Sequence, residues 1–304
     1  MTRRGLFLFV LLSLLWGIPY LLIKLAVAEV SVPFLVFART AVGALALLPF
    51  VLVQRSFGWL KTHWRAVAAF CLVEMILPWG LITHGEVSID SSTAGLLIAM
   101  TPAVTVALSK LMGSDERLGI RRWTGLFLGF AGVFVLALPT LGGGFLAVVE
   151  ILMAAACYAS GSIIASRWLN DVPATSLTAV CLAGAALIYA VPAALAWPAA
   201  VPSTTVVGAI LGLGVFCTAI AFATYFLLVR EIGPERAVVI TYVAPAVSVA
   251  AGVLVLSEPL DIGIVAAFAL ILCGSYLGTW RAPPEPSVSA TSASWPAAAS
   301  RRQK

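Results

Sequence analysis

Charge is what this chain has least of. Only 10% of its 304 residues are Asp, Glu, Lys or Arg, against 62% hydrophobic residues and a mean hydropathy of +1.07. A soluble domain of this length carries about 25% charged residues. The chain is therefore expected to be an integral membrane protein with little material outside the bilayer. Histidine is scarcer still: His63 and His84 are the whole supply, which excludes a histidine-based metal cage. No metal or cofactor is expected. The five cysteines, Cys71, Cys157, Cys181, Cys217 and Cys273, are odd in number, lie in apolar runs and include no C-x-x-C. They read as small buried packing residues rather than a disulfide framework. Missing too are a phosphate-binding Gly-rich loop ending in Lys-Ser/Thr, H-E-x-x-H and G-x-S-x-G, and the loops are too short for a catalytic domain. These absences argue against a nucleotide-driven pump and against an enzyme. The net charge of +5 does not indicate a nucleic-acid partner, because the basic residues sit in short loops rather than on one face.

What is present is a succession of apolar segments long enough to cross a bilayer, about 17–25 residues each. Ten are expected, near residues 5–28, 33–53, 66–83, 91–112, 123–139, 145–167, 174–196, 206–229, 237–257 and 262–280. With the N-terminus placed in the cytoplasm, 16 of the 18 Lys and Arg residues fall on or near the cytoplasmic side, and the C-terminus is inside as well. Lys24 and Arg39 are the exceptions. Arg3-Arg4, an apolar stretch and Ala26-Val27-Ala28 imitate a secretory signal, but the stretch is too long and Lys24 sits beside the supposed cleavage site, so no cleavage is expected. Residues 281–304, rich in Pro, Ser and Ala, are expected to form a disordered cytoplasmic tail.

One helix is written twice. Residues 94–106 and 237–249 align, with Ala94 on Ala237 and Pro102 on Pro245, both at an offset of 143. Each copy runs on to an acidic break, Ser114-Asp115-Glu116 and Ser257-Glu258-Pro259. Five segments per half give the second half the opposite orientation. The expected fold is thus all-α, with ten transmembrane helices as two inverted five-helix repeats, 5–139 and 145–280. Pro102 and Pro245 each remove a helical hydrogen bond and are expected to kink their helices, either as hinges of a pathway or as fixed bends.

Several residues resemble a known family. Trp16-Gly17 followed by Lys24, Phe37-x-Arg39, and the Pro-centred segment ending in Asp115-Glu116-Arg117 are similar to a first EamA repeat. The second Pro-centred segment ending in Ser257-Glu258-Pro259-Leu260, and the glycines Gly125, Gly129 and Gly132, are similar too. The chain resembles the EamA group of the drug/metabolite transporter superfamily over about residues 6–280. The resemblance implies a ten-helix carrier of small metabolites or drugs, often an exporter or exchanger, commonly working by exchange or proton coupling. The high alanine content and lack of organelle signals suit a bacterial inner membrane. The span that opens the second half, Cys157-Tyr158 through Arg167, departs from the pattern and lacks a counterpart of Trp16.

The candidate residues for a substrate or proton pathway are Glu74, Lys24, Arg39, Trp16, Trp79, Tyr158, Ser162 and Tyr242. Glu74 lies about 14 Å deep in its segment at about 1.5 Å per residue, where an ionised carboxylate costs about 2.5–3.5 kcal/mol. It either binds a proton or cationic group or is a structural acid facing another helix. Lys24 and Arg39 either line an outer vestibule, attracting anionic groups or pairing with Glu29 or Glu74, or snorkel to the headgroups. Tyr158, Ser162 and Ser166 share one helical face, as do Thr101, Thr105 and Ser109; such hydroxyls either meet substrate or bond their own backbone. Trp16, Trp79 and Tyr242 offer aromatic walls, with Trp79 alternatively an interface anchor. The expected partners are membrane lipid, a small-molecule substrate and, for coupling, protons. The rival readings are a membrane scaffold or lipid flippase component, and, behind them, a membrane-embedded enzyme. The glycine pairs Gly125-x-x-x-Gly129 and Gly274-x-x-x-Gly278 permit close helix contact within one chain or between chains, so the oligomeric state stays open.

Overall fold

The computed structural model describes residues 2–54, 57–111, 119–138, 144–233, 237 and 239–279. The first acidic break at Ser114-Asp115-Glu116 and the tail expected to be disordered lie outside the described residues. Among the described residues every regular element is helical. Eight helices are long and apolar enough to cross a membrane: α1 Arg3–Ala26, α2 Val32–Val53, α3 Gly58–Ser88, α4 Ser91–Leu111, α5 Ile120–Ala137, α6 Phe145–Trp168, α7 Ala174–Leu195 and α8 Thr204–Ile232. Two shorter apolar helices follow, α9 Ile240–Leu256 and α10 Ile262–Gly278.

Most bounds lie within a few residues of those expected, but α3 does not. The sequence suggested 66–83; the helix runs through 31 residues. Lys61, His63, Arg65 and Glu86 lower the hydropathy at both ends without lowering helix propensity. At about 1.5 Å per residue α3 is roughly 46 Å long, more than the hydrocarbon core of about 30 Å requires.

The two prolines of the duplicated helix behave differently. α4 is two pieces, Ser91–Ile98 and Thr101–Leu111, with Pro102 at the start of the second, where a missing N–H costs nothing. The break frees carbonyls that neighbours satisfy: Ser275 Oγ donates to Ala99 O (2.8 Å) and Thr101 Oγ1 to Ile98 O (2.7 Å). Pro245, by contrast, sits inside the unbroken α9. The duplicated proline thus stands at a break in one copy and inside an unbroken helix in the other. α1 is broken in the same way as α4, into Arg3–Gly17 and Pro19–Ala26, with Pro19 opening the second piece.

A second internal correspondence is absent from the residue pattern. α3 loosens to π-helical turns at Leu72–Ile76, and α8 does so at Gly212–Ile220. Shifted by the same 143 residues that relate the proline helices, the first segment falls on 215–219, inside the second. π segments widen a helix by one residue per turn and are frequent at functional sites.

The packing uses small residues. The two glycine pairs face each other within this chain: a Cβ on Gly274 would meet Gly129 N, Gly125 O (2.7 Å) and Gly129 Cα (2.7 Å). α5 and α10 thus touch backbone to backbone, which is how small-x-x-x-small motifs draw membrane helices together. The cysteines divide: Cys71, Cys181 and Cys217 are buried as expected, Cys157 is half-buried and Cys273 is exposed.

These contacts predict a contrast. Gly274→Ala should lower stability by about 1–3 kcal/mol, because its methyl group meets backbone that cannot step aside. Gly278→Ala, whose Cβ would meet nothing within 4 Å, should change it by about 0.5 kcal/mol or less. Thermal unfolding of the two purified variants in one detergent distinguishes them; equal losses would refute the packing account.

Candidate functional site

A polar cluster lies among α1, α2, α3 and α6. Arg39 on α2 is 5% exposed, and its Cζ stands 3.9 Å from the centroid of the Trp79 ring on α3. Trp79 is 6% exposed and far from either end of its helix, so it is no interface anchor. The Tyr158 hydroxyl on α6 lies beside it. Arg39 Nε has no hydrogen-bond partner, although buried. Arg39 therefore does not snorkel; the indole face replaces part of the hydration that burial removes.

Glu86 completes the cluster, and the sequence did not single it out. It lies on the last turn of α3, is 0% exposed, and neither carboxylate oxygen has a hydrogen-bond partner. It shares electrostatic influence with Lys24, Arg39, Tyr20 and Glu258. A buried polar group without a partner is costly, and a charged one more so. Glu86 and Arg39 are thus two groups of opposite sign, buried in one neighbourhood and not hydrogen-bonded to each other. Expectation missed Glu86 because the apolar count placed it in a loop beyond residue 83.

Glu74 lies one region deeper, inside the π-helical turns of α3. Its carboxylate fills the space that a Cβ on Gly161 of α6 would occupy. Tyr158 and Cys157 on α6 and Tyr225 on α8 lie within electrostatic range of it. Trp16 packs against the same Tyr225, ring centroids 5.2 Å apart, and against Phe222 at 6.1 Å. Trp16, Trp79, Tyr158, Glu74 and Arg39 are thus brought into one connected region. Three expected residues are not. Lys24 pairs with neither Glu29 nor Glu74, nor does it snorkel: its Nζ donates to the carbonyls of Glu86 (2.8 Å) and Ile89 (2.7 Å), at the C-terminal end of α3. Ser162 bonds its own helix through Tyr158 O (3.0 Å). Tyr242 reaches α10, donating to Ser275 O (3.2 Å).

Beside Glu86 the turn from α3 into α4 is held from the other half of the chain. Glu258, 8% exposed, accepts from Ser91 N–H (2.8 Å), Ser91 Oγ–H (2.7 Å), Ser92 N–H (3.0 Å) and the Ser92 hydroxyl. Ser257 adopts φ 55°, ψ 33° and turns the chain back at the end of α9 so that Glu258 can reach. Gly252 leaves the room: a Cβ there would strike the Glu258 carboxylate and Ser92 Oγ. Burial pushes the Glu258 carboxyl up, but the donors of Ser92 and Ser91 outweigh it and hold it below its ordinary 4.5. Asp90, between the two helices, goes the other way: burial raises it, and the charge of Glu258 raises it further against the opposing Lys24. Glu29 makes a similar tie at the start of α8, accepting from Ser203 N–H (2.8 Å) and Oγ–H (2.7 Å); the Ser203 hydroxyl, then its N–H, hold its carboxyl low.

The class of protein follows from these features: a multi-pass helical membrane protein with charged groups buried among its spans. Comparison with known proteins then gives the family. The sequence model of the EamA-like transporter family matches twice, over residues 3–138 and 145–280. The chain belongs to that family. It is 25% identical over 269 residues to an uncharacterized transporter of Archaeoglobus fulgidus, covering 86% of this chain and 94% of that one. It is 27% identical over 283 residues to the uncharacterized transporter YvbV of Bacillus subtilis, covering 89% and 90%. It is also 27% identical over 279 residues to the uncharacterized inner membrane transporter YedA of Escherichia coli, covering 88% and 90%. A crystal structure sharing 20% identity superposes with a TM-score of 0.66 over 92% of this chain and 98% of that one, a likeness of fold. The protein is a membrane transporter by family, and the names of its relatives point to transport rather than catalysis.

The latch at Glu258 predicts opposite effects on its two sides. Glu258→Gln should destabilise by about 2–3 kcal/mol, since an amide brings donors against donors. Asp90→Asn should raise the unfolding temperature by removing repulsion. In the wild type, a depressed carboxyl stabilises above its unfolded value, so the Glu258 contribution should be lost as pH falls below about 4.5. Unfolding followed against pH tests this; a Glu258→Gln variant with the same acid limb would remove Glu258 as its source.

Proposed function

We propose that the protein is a secondary carrier, an exporter or exchanger of a small polar metabolite or drug, that works by alternating access. Its ten helices form two inverted five-helix repeats, 5–139 and 145–280, with both termini in the cytoplasm. The double match of the family model, and the π segments at the same 143-residue offset, support the duplication. The clustering of Lys and Arg at one side supports the orientation. Inverted repeats favour two states of opposite opening, with substrate bound near the midplane between the halves.

The observation that carries the reading is the buried, unpartnered Glu86 carboxylate beside the unpartnered Arg39 Nε. Intramembrane ionisable groups are expensive and mark substrate or ion paths. In this proposal Arg39 and Glu86 supply charge, Tyr158 and Tyr20 supply hydroxyls, and Trp79 and Trp16 supply aromatic walls. Glu74, on the widened turn against Gly161, is the candidate for a proton or a cationic substrate group.

Counterflow in proteoliposomes tests this. Liposomes holding the protein are loaded with candidate metabolites or toxic analogues, and uptake of the labelled solute is followed. A carrier exchanges label, an enzyme alters the solute, and a scaffold does neither. Glu86→Gln and Arg39→Gln should each cut exchange at least about tenfold, the factor that about 1.4 kcal/mol gives. Ser162→Ala should leave it intact. Glu74→Gln should change its pH dependence. Full exchange in the Glu86 and Arg39 variants would sink the assignment of the site.

A further inference from the structure

At the end of the molecule away from the Glu258 latch, the N-terminal turns of α3 meet the last turn of α6. A cleft of about 440 Å³ lies there, lined by Thr62, His63, Trp64, Arg65, Arg167 and Trp168. Its acid is engaged by a neighbour: Asp171 Oδ2 is 3.1 Å from His63 Nε2. Its two arginines are exposed and make no hydrogen bond or ion pair among the described residues. Arg65 has only the Trp64 ring, with its Cζ 5.3 Å from the centroid. Trp64 and Trp168 are 58% and 51% exposed, so two large indoles stand at the rim with neither packed into the protein.

We propose that this cleft binds the phosphodiester headgroup of an anionic phospholipid. Two guanidinium forks free of protein partners match the oxygens of one phosphodiester. Exposed tryptophans at the ends of spans sit at headgroup depth and pack on the glycerol and upper acyl region. Basic pockets between spans on the cytoplasmic side are where anionic headgroups dock, and this is the cytoplasmic end in the orientation proposed above. A soluble anion would use the arginines and leave both indoles in water; a lipid uses all four. The proposal needs the chain to be embedded in a membrane, and stands apart from what it transports.

The test is native mass spectrometry of the full chain in detergent, with phosphatidylglycerol and phosphatidylcholine of identical acyl chains as competing probes. Wild type should retain phosphatidylglycerol preferentially. Each arginine near a membrane surface is worth about fivefold, so R65Q/R167Q should lower the preference about twenty- to thirtyfold. R65K/R167K, which keeps the charge but loses the forks, should fall between wild type and R65Q/R167Q and shows that the double change is tolerated. Arg230→Gln removes a charge elsewhere and should leave the preference unchanged. The proposal is overturned if R65Q/R167Q binds as wild type does, or if Arg230→Gln costs as much as either arginine. Displacement of the lipid by an equimolar amount of inorganic phosphate would assign the cleft to a free anion instead.

Discussion

Hydrocarbon holds no water, so a polar atom inside it must find a protein partner or be costly. That constraint acts first at helix ends, where four N–H or four C=O groups lack an intrahelical mate. Here three such ends are satisfied by side chains from elsewhere in the chain, two of them at least partly buried and the third, at Ser203, exposed. Lys24 of α1 sits on the C-terminal carbonyls of α3; Glu258, past α9, sits on the N–H groups of α4; Glu29, past α1, sits on the N–H of Ser203 before α8. Each charge has the sign that the helix dipole favours, cation at a C-terminus and anion at an N-terminus. The charges so scarce in the composition are therefore concentrated where they join one helix to another. They draw α1, α3, α4, α8 and the end of α9 together at one end of the molecule.

Charges that take part in these ties need no further explanation. Lys24 has such a role at the end of α3, whereas the Glu86 carboxylate, on the same turn, has none that the hydrogen bonds show. Lys24 has two acceptors; Glu86 and Arg39 are 0% and 5% exposed and lack full sets of partners. Had they bonded each other, each would be a structural element. Held apart in one neighbourhood, they impose a cost that only a ligand, a proton or a rearrangement removes.

The order of the helices was legible because it depends on apolar length, which the sequence displays directly. The ends of α3 were not, because hydropathy falls at Lys61, His63, Arg65 and Glu86 while the helix continues into the interface. Glu86 was lost with that end. Ser257-Glu258-Pro259 was visible as a motif, but its partner Ser91 is 167 residues away and nothing local announces it. The π segments were invisible for a different reason. An i→i+5 turn is chosen by packing, and Leu72–Ile76 and Gly212–Ile220 share no residue pattern that would reveal it. Arg39, Trp79, Tyr158 and Glu74 stand out in the sequence because a charge or large aromatic in an apolar run is conspicuous in one dimension, and the fold brings them into one neighbourhood. Ser162 and Tyr242 show the limit of that approach: a polar atom in a span often bonds the nearest carbonyl.

Segments related by the 143-residue offset therefore agree in part of their backbone and differ in chemistry. The π segments fall at one offset, yet where the first carries Glu74 the second carries Cys217. The proline helices fall at the same offset, yet one is broken and the other is continuous. For the proposed carrier this division is physically reasonable. Exchange between inward and outward openings requires that the two backbones store similar strain, so that neither state is a trap. A small asymmetric solute requires only one guanidinium and one set of carboxylates, and a second, mirrored set would double the desolvation cost without adding a contact. Symmetry is thus expected in the helices that move and asymmetry in the side chains that bind, which is how Arg39, Glu74 and Glu86, all in the first half, are arranged against α6 and α8 of the second.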